Sequence, residues 1–115
     1  MNATSLAVSV QPGAGVIVGV DLAKTVFALC VADSQWRPVE SQRLSRAQFE
    51  RWFANRAVSR VIMEACGSAH HWARWLTVLG IEVTLLPARY VRAYVKRNKT
   101  DAADAAALLE AARCA

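Results

Sequence analysis

Short apolar runs separated by polar breaks fill the first half of the chain. Residues 16–20 and 26–32 are apolar, and a polar stretch containing Pro38 follows them. Such runs favour strands, and within a sheet proline is tolerated mainly in an edge strand. The pattern therefore predicts three successive strands, the third at a sheet edge.

The pattern then changes to a helical one. Ser45 is suited to cap this helix, because Gln48 three residues later can return a hydrogen bond to the cap. Phe49, Trp52 and Phe53 follow at the spacing of one helix face. We expect a helix whose aromatic face is buried.

Strand and helix alternate in the rest of the chain. Residues 60–64 form a predicted strand ending at Glu64, and residues 68–80 form a helix for which Gly80 supplies the C′ position. Residues 81–87 form another strand, residues 88–98 a short helix, and Thr100 can cap a last helix that starts at Asp101. The predicted order is β-β-β-α-β-α-β-α-α.

This order is typical of a ribonuclease H-like domain of the α/β class. Three strands form an antiparallel meander, and parallel strands follow through right-handed crossovers. The predicted five-stranded mixed sheet has the order 3-2-1-4-5, with flanking helices. The strand that carries Asp21 then lies beside and parallel to the strand that carries Glu64. Both acids are expected at the carboxyl edge of the sheet, where ligands of α/β proteins usually bind.

Four carboxylates are candidate metal ligands. Asp21 interrupts an apolar run, and a buried carboxylate needs a partner, although it could simply bond backbone N–H groups at the strand end. Glu64 could likewise be a solvated strand terminus. Asp101 and Asp104 share a helix face, and alone they would only complement the charge of the first turn. Together the four would repel one another without a divalent metal, so we predict a site for Mg²⁺, with Mn²⁺ as a substitute.

The net charge of +5 is concentrated in one segment, where residues 89–99 carry five cations and no acid. A local basic surface of this kind favours contact with a polyanion such as DNA, although many basic helix faces are only solvated. If the segment is helical, Val91 and Val95 turn toward the body, and we expect at least one of Tyr90 and Tyr94 to pack in the core. The predicted nucleic-acid-binding residues are Arg89, Arg92, Lys96, Arg97 and Lys99.

Composition sets the broad class of the protein. A chain of 115 residues that is 55% hydrophobic suffices for one globular domain. Cys30, Cys66 and Cys114 show neither disulfide nor zinc-site spacing, which fits a reducing bacterial cytoplasm. Residues 1–14 lack the features of a signal peptide or membrane span, and we expect a flexible tail.

Three segments resemble one known family. The stretches GVDLAK, MEACGSAHHWAR and LPARYVRAYVKRNKTDAADAAAL, with their spacing, are similar to the amino-terminal domain of the IS110 family of DEDD transposases of insertion sequences. The resemblance implies a RuvC-like domain in which Asp21, Glu64, Asp101 and Asp104 bind Mg²⁺ for DNA strand cleavage and exchange. It also implies a guide RNA and a second domain carrying a serine nucleophile. We expect residues 15–115 to be the RuvC-like DEDD catalytic domain, truncated before that second domain and incomplete for transposition by itself.

Other interpretations remain open from the sequence. An actin-like ATPase shares the strand order but needs a second similar domain, and a proofreading exonuclease usually presents D-x-E where this chain has Asp21, Leu22 and Ala23. A non-catalytic nucleic-acid-binding or regulatory remnant of the same fold is the main alternative. The alanine-rich end predicts a smooth helix face suited to a homo-oligomer.

Overall fold

The computed structural model describes residues 15–94 and 101–114, with no description of the side chains of residues 101 and 102. Their order is β-β-β-α-β-α-β-α-α, as predicted. The elements are β1 (Val16–Leu22), β2 (Phe27–Ala32), β3 (Pro38–Leu44), α1 (Arg46–Trp52), β4 (Val58–Glu64), α2 (Gly67–Val78), β5 (Glu82–Leu86), α3 (Ala88–Arg92) and α4 (Asp101–Cys114).

The five strands form one mixed sheet in the order β3-β2-β1-β4-β5. The pairs β1/β2 and β2/β3 are antiparallel, whereas β1/β4 and β4/β5 are parallel. The predicted α/β, ribonuclease H-like sheet order is therefore confirmed. Because β1, β4 and β5 run the same way, their carboxyl ends meet at one edge of the sheet.

Two predicted helix boundaries depend on particular side chains. The Gln48 amide N–H donates to Ser45 Oγ at 3.2 Å, and the Ser45 amide N–H donates to Gln48 Oε1 at 2.8 Å, which completes the capping box. Gly80 has a φ of 87° just after α2, a conformation that side chains disfavour. The capping box thus starts α1, and Gly80 ends α2, at the positions that the sequence predicted.

One face of the sheet is built from large side chains. We call it the large-residue face; α1 and α2 cover it, and Phe49 at its centre has no exposed surface. The ring centroids of Phe27 and Trp72 lie 4.9 and 5.1 Å from that of Phe49, in edge-to-face geometry. The strand residues of this face are Val18, Val20, Phe27, Leu29, Val31, Val61 and Met63.

The opposite face is built mainly from small residues and is covered by α4, with Val91 of α3 beside it. We call it the small-residue face. Its described helix residues include Ala105, Leu108 and Ala111, all buried. An expectation is wrong here: the alanine-rich face of α4 is not available to a second copy, because it packs on the sheet of its own chain. The strand residues of this face are Ile17, Gly19, Ala28, Cys30, Ala32 and Ile62.

Most element bounds lie within one or two residues of the prediction, and two of the differences have a clear physical reason. The strand β4 starts at Val58 rather than at residue 60, because Val58 is buried and pairs with Val16. The helix α3 ends at Arg92, since the Tyr94 amide N–H donates to the Val91 carbonyl, three residues back, in a tight closing turn.

Candidate metal and nucleic-acid site

Asp21 and Glu64 lie side by side at the carboxyl edge of the sheet. The parallel register pairs Val20 with Met63, so the next residue on each strand is one of the two acids. Strand alternation puts both carboxylates on the small-residue face, Asp21 in line with Gly19 and Glu64 in line with Ile62. Asp21 is half-buried and Glu64 is exposed. The structure thus gives the two acids a shared face and a shared edge.

The other two candidate ligands lie in the first turn of α4. Asp104 is half-buried, and it directly precedes Ala105, whose carbonyl oxygen lies against Gly19 of β1. The side chain of Asp101 lies outside the described residues. The helix α4 therefore crosses β1 at Gly19, two residues before Asp21.

Carboxylate oxygens are the donors that Mg²⁺ and Mn²⁺ prefer, so the chemistry of this set fits a hard divalent cation. Among side chains that the structure describes, no three His, Cys, Asp or Glu residues lie close enough to hold a metal ion. Asp21, Glu64 and Asp104 are all described and do not form such a group, and the side chain of Asp101 lies outside the described residues. The four-ligand metal site therefore stays a prediction.

The predicted basic surface is described only in part. Arg89 and Arg92 are exposed on α3, while Val91 is 4% exposed and faces the small-residue cluster, as expected. The expectation that Tyr90 or Tyr94 packs in the core is wrong: they are 50% and 37% exposed, because the short helix α3 turns only Val91 inward. The remaining predicted residues, Lys96, Arg97 and Lys99, and also Val95, lie outside the described residues.

Sequence reasoning missed the role of the small residues under α4. The signal was present in the alternation of β2, where Ala28, Cys30 and Ala32 are small and the intervening positions are large. A strand with one small face indicates a helix packed closely on that face. The alanine pattern of α4 alone predicts an exposed surface, whereas the helix packs on this small face of the sheet.

The three cysteines are free thiols, Cys30 buried and Cys66 and Cys114 exposed. Burial raises the pKa of the Cys30 thiol. No helix within the described residues has the length and apolar character needed to cross a membrane.

Comparison with known proteins gives a consistent result. The model of the DEDD transposase family named after IS110 matches residues 18–115. A transposase for insertion sequence element IS1111A from Coxiella burnetii is 45% identical over 96 residues, which are 84% of this chain and 26% of the relative. A protein of Pseudomonas aeruginosa named "Probable family 20 transposase" is 46% identical over 95 residues, 83% of this chain and 28% of the relative.

A more distant relative extends the same pattern. The transposase for insertion sequence element IS1328 from Yersinia enterocolitica is 36% identical over 95 residues, 83% of this chain and 28% of the relative. The chain thus spans between 26% and 28% of the length of these three relatives. Since the family model covers most of the chain, this protein belongs to the IS110 family of DEDD transposases.

Proposed function

We propose that this chain supplies the metal-binding half of a transposase active site, which cleaves and transfers DNA strands. Asp21, Glu64, Asp101 and Asp104 are the proposed ligands of Mg²⁺. The relatives are several times longer than this chain, so the complete reaction is proposed for the longer protein and metal binding for the chain itself.

One observation carries the proposal: Asp21 and Glu64 occupy adjacent positions on parallel strands, on one face and at one edge of the sheet. Carboxylate oxygens are the ligands that a divalent cation such as Mg²⁺ prefers, so a cation bound at this edge could be shared by both acids. Asp104 sits on the helix that crosses the same face, and we propose that it moves in as a further ligand when the metal binds.

The carboxylates and the arginines of the chain have different proposed roles in the reaction with DNA. The carboxylates hold the metal, which when bound activates an attacking oxygen and stabilises the leaving oxygen of a phosphodiester. Arg89 and Arg92, exposed on the element that follows the carboxyl end of β5, hold DNA phosphates by charge. This contact is independent of base sequence, so target choice falls to another part of the assembly. By family resemblance we propose a guide RNA for that choice, and a homo-oligomer in the bacterial cytoplasm.

Metal binding by the purified chain tests the proposal. Titration with Mn²⁺, followed by calorimetry and by the rise in Tm, should give saturable binding in the parent chain. Asp21→Asn and Glu64→Gln should each abolish most of the Tm rise, because binding to the folded state alone stabilises it by mass action.

Glu82→Gln is the matched control, since Glu82 starts β5 at the amino ends of the parallel strands and its side chain forms an exposed ion pair with Arg60. It should keep the full Tm rise. Equal melting of the parent chain with and without metal would refute metal binding. DNA affinity without any metal binding would instead favour a non-catalytic nucleic-acid-binding module.

A further inference from the structure

The backbone of α4 lies very close to β1 at Gly19. A methyl group added there would lie 2.5 Å from the carbonyl oxygen of Ala105 and 3.1 Å from Cγ of Leu109. The first distance is far inside ordinary van der Waals contact, and it involves a backbone atom that cannot rotate away. Only a residue without a side chain fits at this point of β1.

Backbone conformation does not explain the glycine. Gly80 is the one glycine with positive φ within the described residues, and Gly19 lies in the regular antiparallel register opposite Cys30. The requirement at Gly19 is therefore steric: the missing side chain allows the α4 backbone to approach β1.

We propose that Gly19 is a positioning residue of the metal site, which sets the height of α4 above β1 and so the reach of Asp104 toward Asp21. The inference rests on the function proposed above. Asp104 is the neighbour of Ala105 in α4, and Asp21 is two residues from Gly19 on the same face of β1. A change of height at Gly19 is thus transmitted directly to the separation of the two acids.

The size of the effect follows from the geometry. To bring the added methyl group to ordinary contact at 3.4 Å from the Ala105 oxygen, α4 would have to move by about 0.9 Å. Functional groups need to be held within about 0.5 Å of their working geometry. A single methyl group at Gly19 therefore exceeds the tolerance of the site.

Cys30 provides a built-in reporter of the height of α4. It pairs with Gly19 across the β1/β2 ladder, is 4% exposed, and belongs to the cluster that α4 covers. Cys66 is exposed at the start of α2, the helix that covers the large-residue face, and serves as the internal reference. A looser α4 should speed maleimide labelling of Cys30 but not of Cys66.

The test compares three glycine-to-alanine variants of the full chain. Gly19→Ala displaces α4. Gly15→Ala introduces a similar clash just before β1, where the added methyl group would lie 2.8 Å from the Ala57 carbonyl oxygen and away from α4. Gly67→Ala adds a methyl group in open space. Mn²⁺ affinity is measured by calorimetry and corrected for the folded fraction, and labelling of Cys30 and Cys66 is followed by mass spectrometry.

Gly19→Ala should weaken Mn²⁺ binding by about tenfold or more, as loss of a supporting contact does at other metal sites. It should also speed Cys30 labelling by about tenfold. Gly15→Ala and Gly67→Ala should leave both quantities within about twofold of the parent. Parent-like Mn²⁺ affinity in Gly19→Ala would overturn the inference while leaving the proposed function intact. A parent chain that binds no Mn²⁺ would overturn the proposed function and the inference with it.

A second variant covers the case in which Gly19→Ala does not fold. Gly19→Ala combined with Leu109→Ala removes the side-chain clash and keeps the one with the Ala105 oxygen. This double variant should still bind Mn²⁺ about tenfold more weakly than Leu109→Ala alone. Equal affinities of the two would contradict the positioning role.

Discussion

The two faces of the central sheet differ in residue size. The large residues of one face stabilise the fold, whereas the small residues of the other face set the position of the covering helix α4. On the large-residue face, Phe27, Phe49 and Trp72 interlock in edge-to-face contacts under α1 and α2. Each large apolar side chain that is fully buried contributes about 1.5–3 kcal/mol. The small-residue face buries less side-chain area, so most of the hydrophobic stabilisation comes from the large-residue face.

The small-residue face allows close approach instead. Because Gly19 and Ala28 have little or no side chain, the backbone of α4 can pack very close to β1 and β2. Asp21 and Glu64 lie on this same face, at the edge where the parallel strands end. A small residue gives little hydrophobic stabilisation, but it fixes the height of the covering helix. The comparison indicates that the fold depends on one face and the proposed metal site on the other.

The largest expected effect is on the large-residue face. Phe49→Ala should lower the free energy of unfolding by about 3–5 kcal/mol, because it leaves a cavity among packed rings. The Mn²⁺ affinity of the molecules that remain folded should not change. Denaturant unfolding with and without Mn²⁺ measures both quantities.

Val78→Ala is the control for Phe49→Ala, since Val78 is 86% exposed on α2 and should change stability by less than about 0.5 kcal/mol. A loss of Mn²⁺ affinity in folded Phe49→Ala would break the separation between the two faces.

A smaller effect is expected from overpacking on each face of β2. Ala28→Val, opposite Asp21 and under α4, and Val31→Ile on the large-residue face should each cost about 1–3 kcal/mol. Only Ala28→Val should also weaken Mn²⁺ binding, since only it raises α4. Calorimetric titration of both variants tests this, and equal affinities would count against the role of the small-residue face.

The salt dependence of DNA binding extends the comparison to the surface. Arg89 and Arg92 lie on α3, which packs beside α4, whereas Arg46 and Arg51 are exposed on α1 over the large-residue face. Replacing the first pair with alanine should flatten the slope of log K against log salt by about 1.8, at 0.9 per phosphate contact. Replacing the second pair should leave it unchanged. Equal slopes for the two double variants would show that α3 makes no special contact with DNA.

The smallest expected effect concerns pH and Cys30. Burial raises the pKa of its thiol in the folded state above the ordinary value of about 8.5. The folded state then favours the neutral thiol, so this stability is present below the ordinary pKa and is lost as pH rises through the raised value. Between pH 8 and 10 the Tm of the parent chain should fall more than the Tm of Cys30→Ala. Thermal melts at a series of pH values measure this difference. Cys66→Ala should follow the parent, and parallel curves for the parent and Cys30→Ala would contradict the effect.

The sequence predicted those parts of the fold that depend on local chemistry. Ser45 with Gln48 fixes the start of α1, and Gly80 fixes the end of α2. The alternation of strands and helices was sufficient for the sheet order, because crossover handedness and short connections leave few topologies. The positions of Asp21 and Glu64 on neighbouring strands followed from that order.

What the sequence did not predict depends on packing between distant segments. The alanine-rich face of α4 matches Gly19 and Ala28 only after the sheet has formed, and no local pattern pairs residues so far apart. The exposure of Tyr90 and Tyr94 likewise depends on where α3 ends, which is set by a single turn after Arg92. The roles of Asp101 and Lys96 in the site stay predictions.

A crystal structure of the chain grown with Mn²⁺ tests the central claim most directly. Anomalous scattering identifies the metal without reference to activity. We expect a Mn²⁺ peak on the small-residue face, bound by the carboxylates of Asp21 and Glu64 and approached by Asp104 from α4. A well-ordered crystal with no metal between Asp21 and Glu64, or with Mn²⁺ bound only elsewhere on the chain, would contradict the claim.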